Sequence, residues 1–291
     1  MKIAIIFVPL IALISVSIFC NQTVTKNAQN KILKDTVSSI KIDSSAKTIA
    51  TRFSTPPDYE RQSYEKNTFE YFLSNFPLKQ MGSKVYYYNG EVMPNSDIYI
   101  SVLDIDIGNK DLQQCADAII RLRAEYLYAQ KQYSKIHFNF TNGFRVDYIK
   151  WAQGNRIKIS GNKSNWYPSK SEDYSYKTFR EYLDIVFMYA GTLSLSKELR
   201  QIPIDSIQIG DIFVIGGSPG HAEIVVDIAK NKVNGNKIFM LAQSYMPAQS
   251  IHLLVNLNNS DISPWYDVSK ASNLVTPSWV FSKNELKRFK N

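Results

Sequence analysis

Cys115 is the one cysteine that remains in this chain once Cys20, at the end of an N-terminal apolar stretch, is set aside. A single thiol in an exported protein has no partner for an internal disulfide, so it is a packing residue, a link to another chain or a nucleophile. A thiol attacks as the thiolate, and both a helix N-terminus and a neighbouring imidazole favour that form. A catalytic Cys115 therefore needs a helix that begins near it and a histidine that reaches it.

His221 is the best candidate for the base, because it follows a glycine-rich turn and opens an apolar run, 221–229, that is typical of a strand. The far nitrogen of its ring needs an orienting partner. Gln243 ends the next predicted strand, 237–243, and its even separation from His221 lets the two side chains face each other if the connecting loop has an odd length. Asp227 shares the alternation face of His221 and is the alternative.

The residues just before the thiol predict the rest of the site. Asp111 and Gln114 have the spacing of a capping box, with Asp111 as the N-cap, which places Cys115 in the first turn of a helix. A side-chain amide next to a nucleophile can donate to the oxyanion that forms when a carbonyl is attacked, together with the backbone N–H of the cysteine. Gln114 is the first choice for this donor and Gln113 is the second.

The periodicity predicts the elements that must position these residues. Apolar residues three and four apart indicate a long helix over 112–131, which carries the thiol. Short apolar segments at 212–215, 221–229 and 237–243 are separated by turn residues and indicate an antiparallel meander that carries the histidine. We expect an α+β fold in which the helix that carries the thiol packs on the meander.

The first 20 residues are typical of an export signal, with Lys2 followed by an apolar stretch, 3–19. The stretch is shorter than the roughly 20 residues that a spanning helix needs. Cys20 stands where a lipoprotein signal has its acylated cysteine, although Phe19 occupies a position where small residues are usual. Acylation of Cys20 is one expectation, and ordinary cleavage of the signal or an uncleaved anchor is the alternative.

Composition after the leader predicts a tether or poorly ordered lead-in at 21–51, rich in polar residues, and a single α+β domain at 52–291. The chain is thus expected in the cell envelope, as a periplasmic or outer-membrane-attached protein that a lipid anchor can hold at the membrane.

The net charge of +8 is scattered, without a run of basic residues or a nucleic-acid-binding motif. We therefore expect no nucleic-acid partner, and a basic surface suits anionic polymers of the envelope. Trp166 and Tyr167 lie among polar loops and are candidates for binding a sugar or peptide substrate. No histidine, cysteine or acidic cluster has metal-ligand spacing, so we expect neither a metal nor a cofactor, and His137 and His252 are expected to be structural.

Two strand motifs carry a resemblance to a known group of enzymes. Gly-Asp-Ile-Phe-Val-Ile at 210–215 and Gly-His-Ala-Glu-Ile-Val-Val at 220–226 resemble strands of papain-like cell-wall hydrolases of the NlpC and CHAP types, and Gln-Cys-Ala at 114–116 resembles the nucleophile segment of CHAP amidases. The resemblance implies a papain-like core. It is short, and the interval between the cysteine and the histidine is long for these families.

The resemblance implies that Cys115 is the nucleophile, His221 the base and Gln243 the polar third member of the site. It also implies an envelope-associated cysteine hydrolase that cleaves an amide bond, with peptidoglycan as the expected substrate. An acyl transferase that uses the same thiol and a non-catalytic lipoprotein that keeps the scaffold as a binding module are the alternatives.

Nearly the whole mature chain also resembles the uncharacterised family called domain of unknown function 4846, which brings no established activity. Five segments carry this resemblance: 104–108, 111–128, 190–195, 219–227 and 241–249.

Overall fold

Six α-helices and fourteen strands are formed by residues 40–267, 269 and 272–290, the part of the chain that the computed structural model describes. The helices are α1 (Ile49–Arg52), α2 (Phe69–Ser74), α3 (Cys115–Ala129), α4 (Tyr148–Ala152), α5 (Tyr176–Tyr189) and α6 (Thr192–Glu198). The strands are β1 (Tyr59–Arg61), β2 (Tyr99–Val102), β3 (His137–Asn139), β4 (Arg145–Asp147), β5 (Asn155–Ser160), β6 (Lys163–Pro168), β7 (Arg200–Gln201), β8 (Ile212–Ile215), β9 (His221–Asn231), β10 (Lys237–Gln243), β11 (His252–Leu254), β12 (Asn273–Val275), β13 (Val280–Ser282) and β14 (Leu286–Arg288).

One antiparallel sheet of eight strands organises the molecule. Its order is β2-β11-β10-β9-β8-β14-β7, and β1 pairs with the far end of β9. The pairs β3–β4, β5–β6 and β12–β13 form three separate two-stranded sheets. The predicted α+β class and the predicted meander β8–β9–β10 are confirmed, since neighbouring antiparallel strands need no crossover helix.

Strand β9 lies at the centre of this sheet and is buried at every position from His221 to Ala229. Both of its faces are covered, which explains why its sequence is a nearly continuous apolar run. Helix α3 packs against β9 and β10 with apolar residues three and four positions apart, among them Ala116, Ile119 and Ile120. The helix that carries the thiol is thereby held against the strand that begins at the histidine.

The folded region extends further toward the N-terminus than we predicted. Residues 40–51 belong to it, because Ile49 is fully buried in the core and Arg52 donates hydrogen bonds to the carbonyls of Ala46 and Lys79. The segment is mostly polar, so its composition did not indicate that a few of its residues, such as Ile49, are buried in the core. The rest of the predicted tether, 21–39, and the predicted export signal with Cys20 lie outside the described residues.

None of the helices in residues 40–267 and 272–290 is long and apolar enough to cross a membrane.

Candidate active site

Cys115 is the first residue of α3 and lines an open cleft of about 710 Å³. Its side chain is partly exposed, so a substrate can reach the sulfur. The first backbone N–H groups of a helix have no acceptor within the helix, and they point toward anions. The predicted position of the thiol at a helix start is thus confirmed.

The helix is capped differently from our prediction. Gln114, and not Asp111, is the N-cap, because the helix starts three residues later than a cap at Asp111 requires. The carboxylate of Asp117 accepts the backbone N–H of Gln114 at 3.1 Å. Asp111 instead accepts the side-chain amide of Gln114 at 3.1 Å and the N–H of Ala248 at 2.7 Å, so it ties the helix start to the loop after β10.

His221 begins β9 and lines the same cleft as Cys115, although its ring is almost fully buried. Burial alone lowers the pKa of the imidazole, but its interactions with the Cys115 side chain and with Glu223 outweigh that effect and raise the pKa to about 9. The rings of Tyr245 and Trp279 lie 4.9 and 5.3 Å from the imidazole, centroid to centroid. The structure therefore brings the predicted nucleophile and the predicted base together.

Gln243 accepts a hydrogen bond from His221, with its Oε1 2.7 Å from Nε2 of the ring. The connection between β9 and β10 does not have the odd length that we predicted, because Lys230 pairs with Lys237. That register alone would turn Gln243 away from His221.

A β-bulge corrects the register before it reaches the site. Met240 pairs with Asp227 but Leu241 pairs with Val225, so Val226 is an extra residue on β9. Gln243 consequently lies on the same face as His221, diagonally across the two strands. The predicted contact between Gln243 and His221 is confirmed, and the bulge rather than an odd loop length produces it.

His252 determines which way the amide of Gln243 faces. Nδ1 of His252 lies 2.8 Å from the carbonyl oxygen of Ser250, so Nδ1 carries the proton and Nε2 accepts. Burial lowers the pKa of His252 to about 4, which keeps the ring neutral. The amide nitrogen of Gln243 donates to that Nε2 at 3.2 Å and to Ser278 Oγ at 2.7 Å.

The orientation of the Gln243 amide also decides which nitrogen of His221 carries its proton. With the amide nitrogen of Gln243 committed to His252, its oxygen faces His221 and accepts the proton on Nε2. Nδ1 is then the ring nitrogen of His221 that remains for Cys115. The sequence indicated a structural role for His252, and the structure adds its link to the site.

Glu223 is a site residue that our sequence reasoning missed. Its Oε1 lies 3.5 Å from Nε2 of His221 and accepts a hydrogen bond from Thr276 at 2.7 Å, while its Oε2 has no hydrogen-bond partner. Burial raises the pKa of Glu223, and His221 and Thr276 oppose that rise. The His-x-Glu spacing on a predicted strand was the available signal, because residues two apart share a face.

Asp227 does not orient His221. It is buried and forms an ion pair with Arg61, whose Nε lies 2.8 Å from Oδ2. The bulge at Val226 breaks the alternation that would have placed Asp227 on the face of His221. This alternative from the sequence is therefore wrong.

The candidate oxyanion donors occupy different environments. Gln114 lines the cleft, but its amide nitrogen is engaged by Asp111. Gln113 is buried, and its Oε1 accepts a hydrogen bond from Arg121 at 2.9 Å, away from the cleft lining. The backbone N–H of Cys115 at the helix start is the donor that needs no rearrangement.

Trp166 and Tyr167 lie on β6 and neither lines the cleft. The ring of Trp166 packs on Phe144, with 5.9 Å between the ring centroids, and the amine of Lys150 lies over it. The structure thus does not bring these predicted substrate-binding residues to Cys115.

No group of three or more histidine, cysteine or acidic side chains in residues 40–267, 269 and 272–290 is arranged to hold a metal ion.

The fold and the cleft define a mixed α+β protein in which a thiol, an imidazole and an amide converge at the start of a helix. Residues 49–288 match the sequence model of domain of unknown function 4846, and the chain belongs to that family. No curated protein and no solved structure matches it. The comparisons therefore establish the family and provide no evidence for a papain-like relationship.

Proposed function

We propose that the protein is an envelope-associated cysteine hydrolase that cleaves an amide bond. The observation that carries the proposal is the order of contacts from Cys115 through His221 to Gln243, which places the imidazole between the thiol and an amide oxygen 2.7 Å from Nε2. A nucleophile, a base within reach and a third group that orients the base are the parts that covalent acyl transfer requires.

In the first step of the proposed reaction, the thiolate of Cys115 attacks the amide carbonyl carbon and a C–S bond forms. The backbone N–H of Cys115 donates a hydrogen bond to the oxyanion and stabilises it. The side-chain amide of Gln114 is a second donor once its hydrogen bond to Asp111 is broken. The imidazolium of His221 donates its Nδ1 proton to the leaving amine as the C–N bond breaks. A thioester of Cys115 and a free amine result.

In the second step, His221 takes a proton from water, which attacks the thioester carbonyl. The C–S bond breaks and a carboxylic acid leaves. Cys115 is released as the thiolate, and His221, which holds the proton taken from water, is again the imidazolium. Gln243 holds the ring in one orientation through both steps, because its Oε1 accepts from Nε2 throughout.

The arrangement also supports a distant papain-like relationship as part of this proposal. A helix that starts at the nucleophile packs on an antiparallel strand that starts at the base, and the third residue lies on the next strand. The order along the chain is cysteine, histidine, then amide. The long segment between Cys115 and His221 holds α4, α5, α6 and the two small sheets β3–β4 and β5–β6.

Peptidoglycan is the proposed substrate, since the N-terminal sequence is typical of export and the basic chain suits an anionic envelope polymer. We propose that the mature protein begins at an acylated Cys20, which would hold it at the membrane. The intact mass of membrane-extracted protein tests this part. A mass without lipid, or one that retains Met1, contradicts acylation and does not affect the Cys115 site.

The test of the enzymatic proposal is incubation of the exported protein with defined muropeptides, followed by mass spectrometry of the products. We expect cleavage of one amide bond, a transient mass increase on Cys115 from the acyl group, and loss of both in Cys115→Ala. Cleavage that persists in Cys115→Ala contradicts the proposal. An acyl-enzyme that reacts with added amines and not with water identifies a transferase, and the absence of any acyl-enzyme favours a binding module.

A further inference from the structure

The walls of the cleft around Cys115 differ in charge from the rest of the protein. The chain has 34 lysines and arginines against 26 acidic residues. Among the described residues, no lysine or arginine lines this cleft. Its charged or ionisable groups, apart from the catalytic pair and Tyr245, are the carboxyl groups of Asp111 and Asp117.

The two carboxyl groups do not contribute equally to the local charge. Asp117 is almost fully buried, and burial raises its pKa well above the usual range of an aspartate. Asp111 is exposed at the edge of the helix start. The imidazole of His221 is the basic group at the centre of the cleft, and the Cys115 side chain and Glu223 already interact with it and raise its pKa. A substrate carboxylate would find no free cation among these groups.

Large apolar side chains in the cleft are left uncovered. Met188, Leu193 and Met246 line it with 49%, 37% and 66% of their surface exposed, respectively. They come from α5, from α6 and from the loop after β10, so three separate elements present apolar surface to the same space. Methionine side chains adapt to irregular apolar ligands, and exposed apolar surface that lines a cleft marks a binding site.

We infer that the groups flanking the scissile amide are apolar and uncharged, and that the cleft disfavours a carboxylate next to that bond. This inference rests on the proposed function, and it specifies which groups next to the scissile amide the cleft accepts. Apolar groups gain from covering Met188, Leu193 and Met246, whereas a carboxylate loses its water without gaining a cation and is repelled by Asp111. Among the amides of peptidoglycan, those flanked by alanine fit the cleft, and those with a free carboxylate beside the bond do not.

The experiment compares fluorogenic amides that share one leaving group and differ only in an N-acetylated leucyl, alanyl or glutamyl acyl group. We expect kcat/KM for the leucyl and alanyl amides to exceed that for the glutamyl amide by at least tenfold. Leu193→Lys introduces a cation at the wall and should reduce that ratio at least tenfold. The matched control is Val233→Lys, at a position 86% exposed in the loop between β9 and β10 and outside the cleft lining, which should leave the ratio unchanged.

Met188→Lys repeats the test from another element if Leu193→Lys does not fold. A glutamyl amide cleaved as well as the leucyl amide, or a ratio unaffected by both lysines, overturns the inference while leaving the cysteine hydrolase intact. If no amide is cleaved, binding of the three amides to the Cys115→Ser protein decides, measured by isothermal titration calorimetry. Equal affinities in that assay also overturn the inference, and a tenfold preference for the leucyl amide supports it.

Discussion

The amide nitrogen of Gln243 lies 3.2 Å from Nε2 of His252, on the side of the amide opposite His221. Because His252 must donate from Nδ1 to the carbonyl of Ser250, its Nε2 can only accept. One buried histidine thus sets the tautomer of the other through a single amide. In the proposed hydrolase, His252 is a positioning residue, since it contacts Gln243 and reaches His221 only through that amide.

His252→Phe removes the acceptor for the Gln243 amide and keeps a ring of similar size. We expect kcat for amide cleavage to fall about tenfold with little change in KM, because one neutral hydrogen bond contributes about 0.5–1.5 kcal/mol. Ser278 still accepts from Gln243, which limits the loss. The ring-proton resonances of His221 should shift in the same variant.

The matched control is His137→Phe. His137 is the remaining histidine of the chain, it makes no contact with His221, Gln243 or His252, and it does not line the cleft. Its kcat should stay within twofold of the parent value. Equal losses in the two variants would show that the effect reflects folding and not the orientation of Gln243.

The pKa of His221 should depend on Cys115. The imidazole is raised to about 9, and of the interactions that raise it the one with the Cys115 side chain is the largest. In Cys115→Ala we expect the midpoint of the His221 ring resonances, followed by NMR across pH, to fall toward the ordinary value of about 6.5. An unchanged midpoint would contradict the pairing of the two side chains.

The same pKa sets the direction of the pH dependence. A histidine whose pKa is higher in the folded state stabilises the fold fully below its unfolded value of about 6.5, and that contribution is lost as pH rises through about 9. Since the leaving amine takes its proton from the imidazolium in the proposed reaction, acylation of Cys115 by an amide should also decline above about pH 9. A single-turnover assay from pH 6 to 10.5 measures this decline, which is the alkaline limb of the pH profile.

The sequence predicted the parts of the site that depend on local pattern. Cys115 at a helix start and His221 at a strand start follow from hydrophobic periodicity and turn chemistry, and both are present in the structure. Gln243 was predicted on the assumption of an odd loop length between the two strands. In the structure the bulge at Val226 brings it to His221. A bulge depends on the packing of both strands, and one apolar run does not reveal it.

The parts that the sequence did not predict come from distant segments. Thr276 and Trp279 reach the site from beyond β11, and no local spacing connects them to His221. Residues 40–51 were predicted to be a tether because their composition is polar. They are folded because a few residues such as Ile49 are buried in the core. Tertiary contacts decide both cases.

Glu223→Gln should change the pH profile more than the rate at its maximum. Glu223 raises the pKa of His221, so its neutral replacement should lower that pKa and move the alkaline limb to lower pH. The amide oxygen of the new side chain can still accept from Thr276, which preserves the fold. Single-turnover acylation across pH tests this, and Asp111→Asn is the control, because Asp111 is a carboxylate of the same cleft that does not contact His221. A limb that stays in place in Glu223→Gln would contradict the contribution of Glu223.

Arg61→Met should destabilise the protein by leaving a buried carboxylate without its cation. Arg61 Nε lies 2.8 Å from Oδ2 of Asp227, which is 1% exposed. Burial raises the pKa of Asp227 to about 6 and Arg61 opposes that rise. Breaking one side of a buried pair costs about 3–5 kcal/mol, and because Arg61 itself is partly exposed we expect a loss of about 3 kcal/mol in the free energy of unfolding at pH 8.

The loss should shrink at low pH, and this distinguishes the ion pair from simple packing. A carboxyl group whose folded pKa is raised lowers stability as pH rises from about 4 through about 6, and removing Arg61 extends that effect to higher pH. Urea unfolding of Arg61→Met at pH 5 and pH 8 measures the difference. The added change Asp227→Asn should recover most of the loss at pH 8, while Lys232→Met, which breaks the exposed pair with Glu60 at 4.0 Å, should cost no more than about 0.5 kcal/mol. A loss in Arg61→Met that is the same at both pH values would contradict the uncompensated charge on Asp227 as its cause.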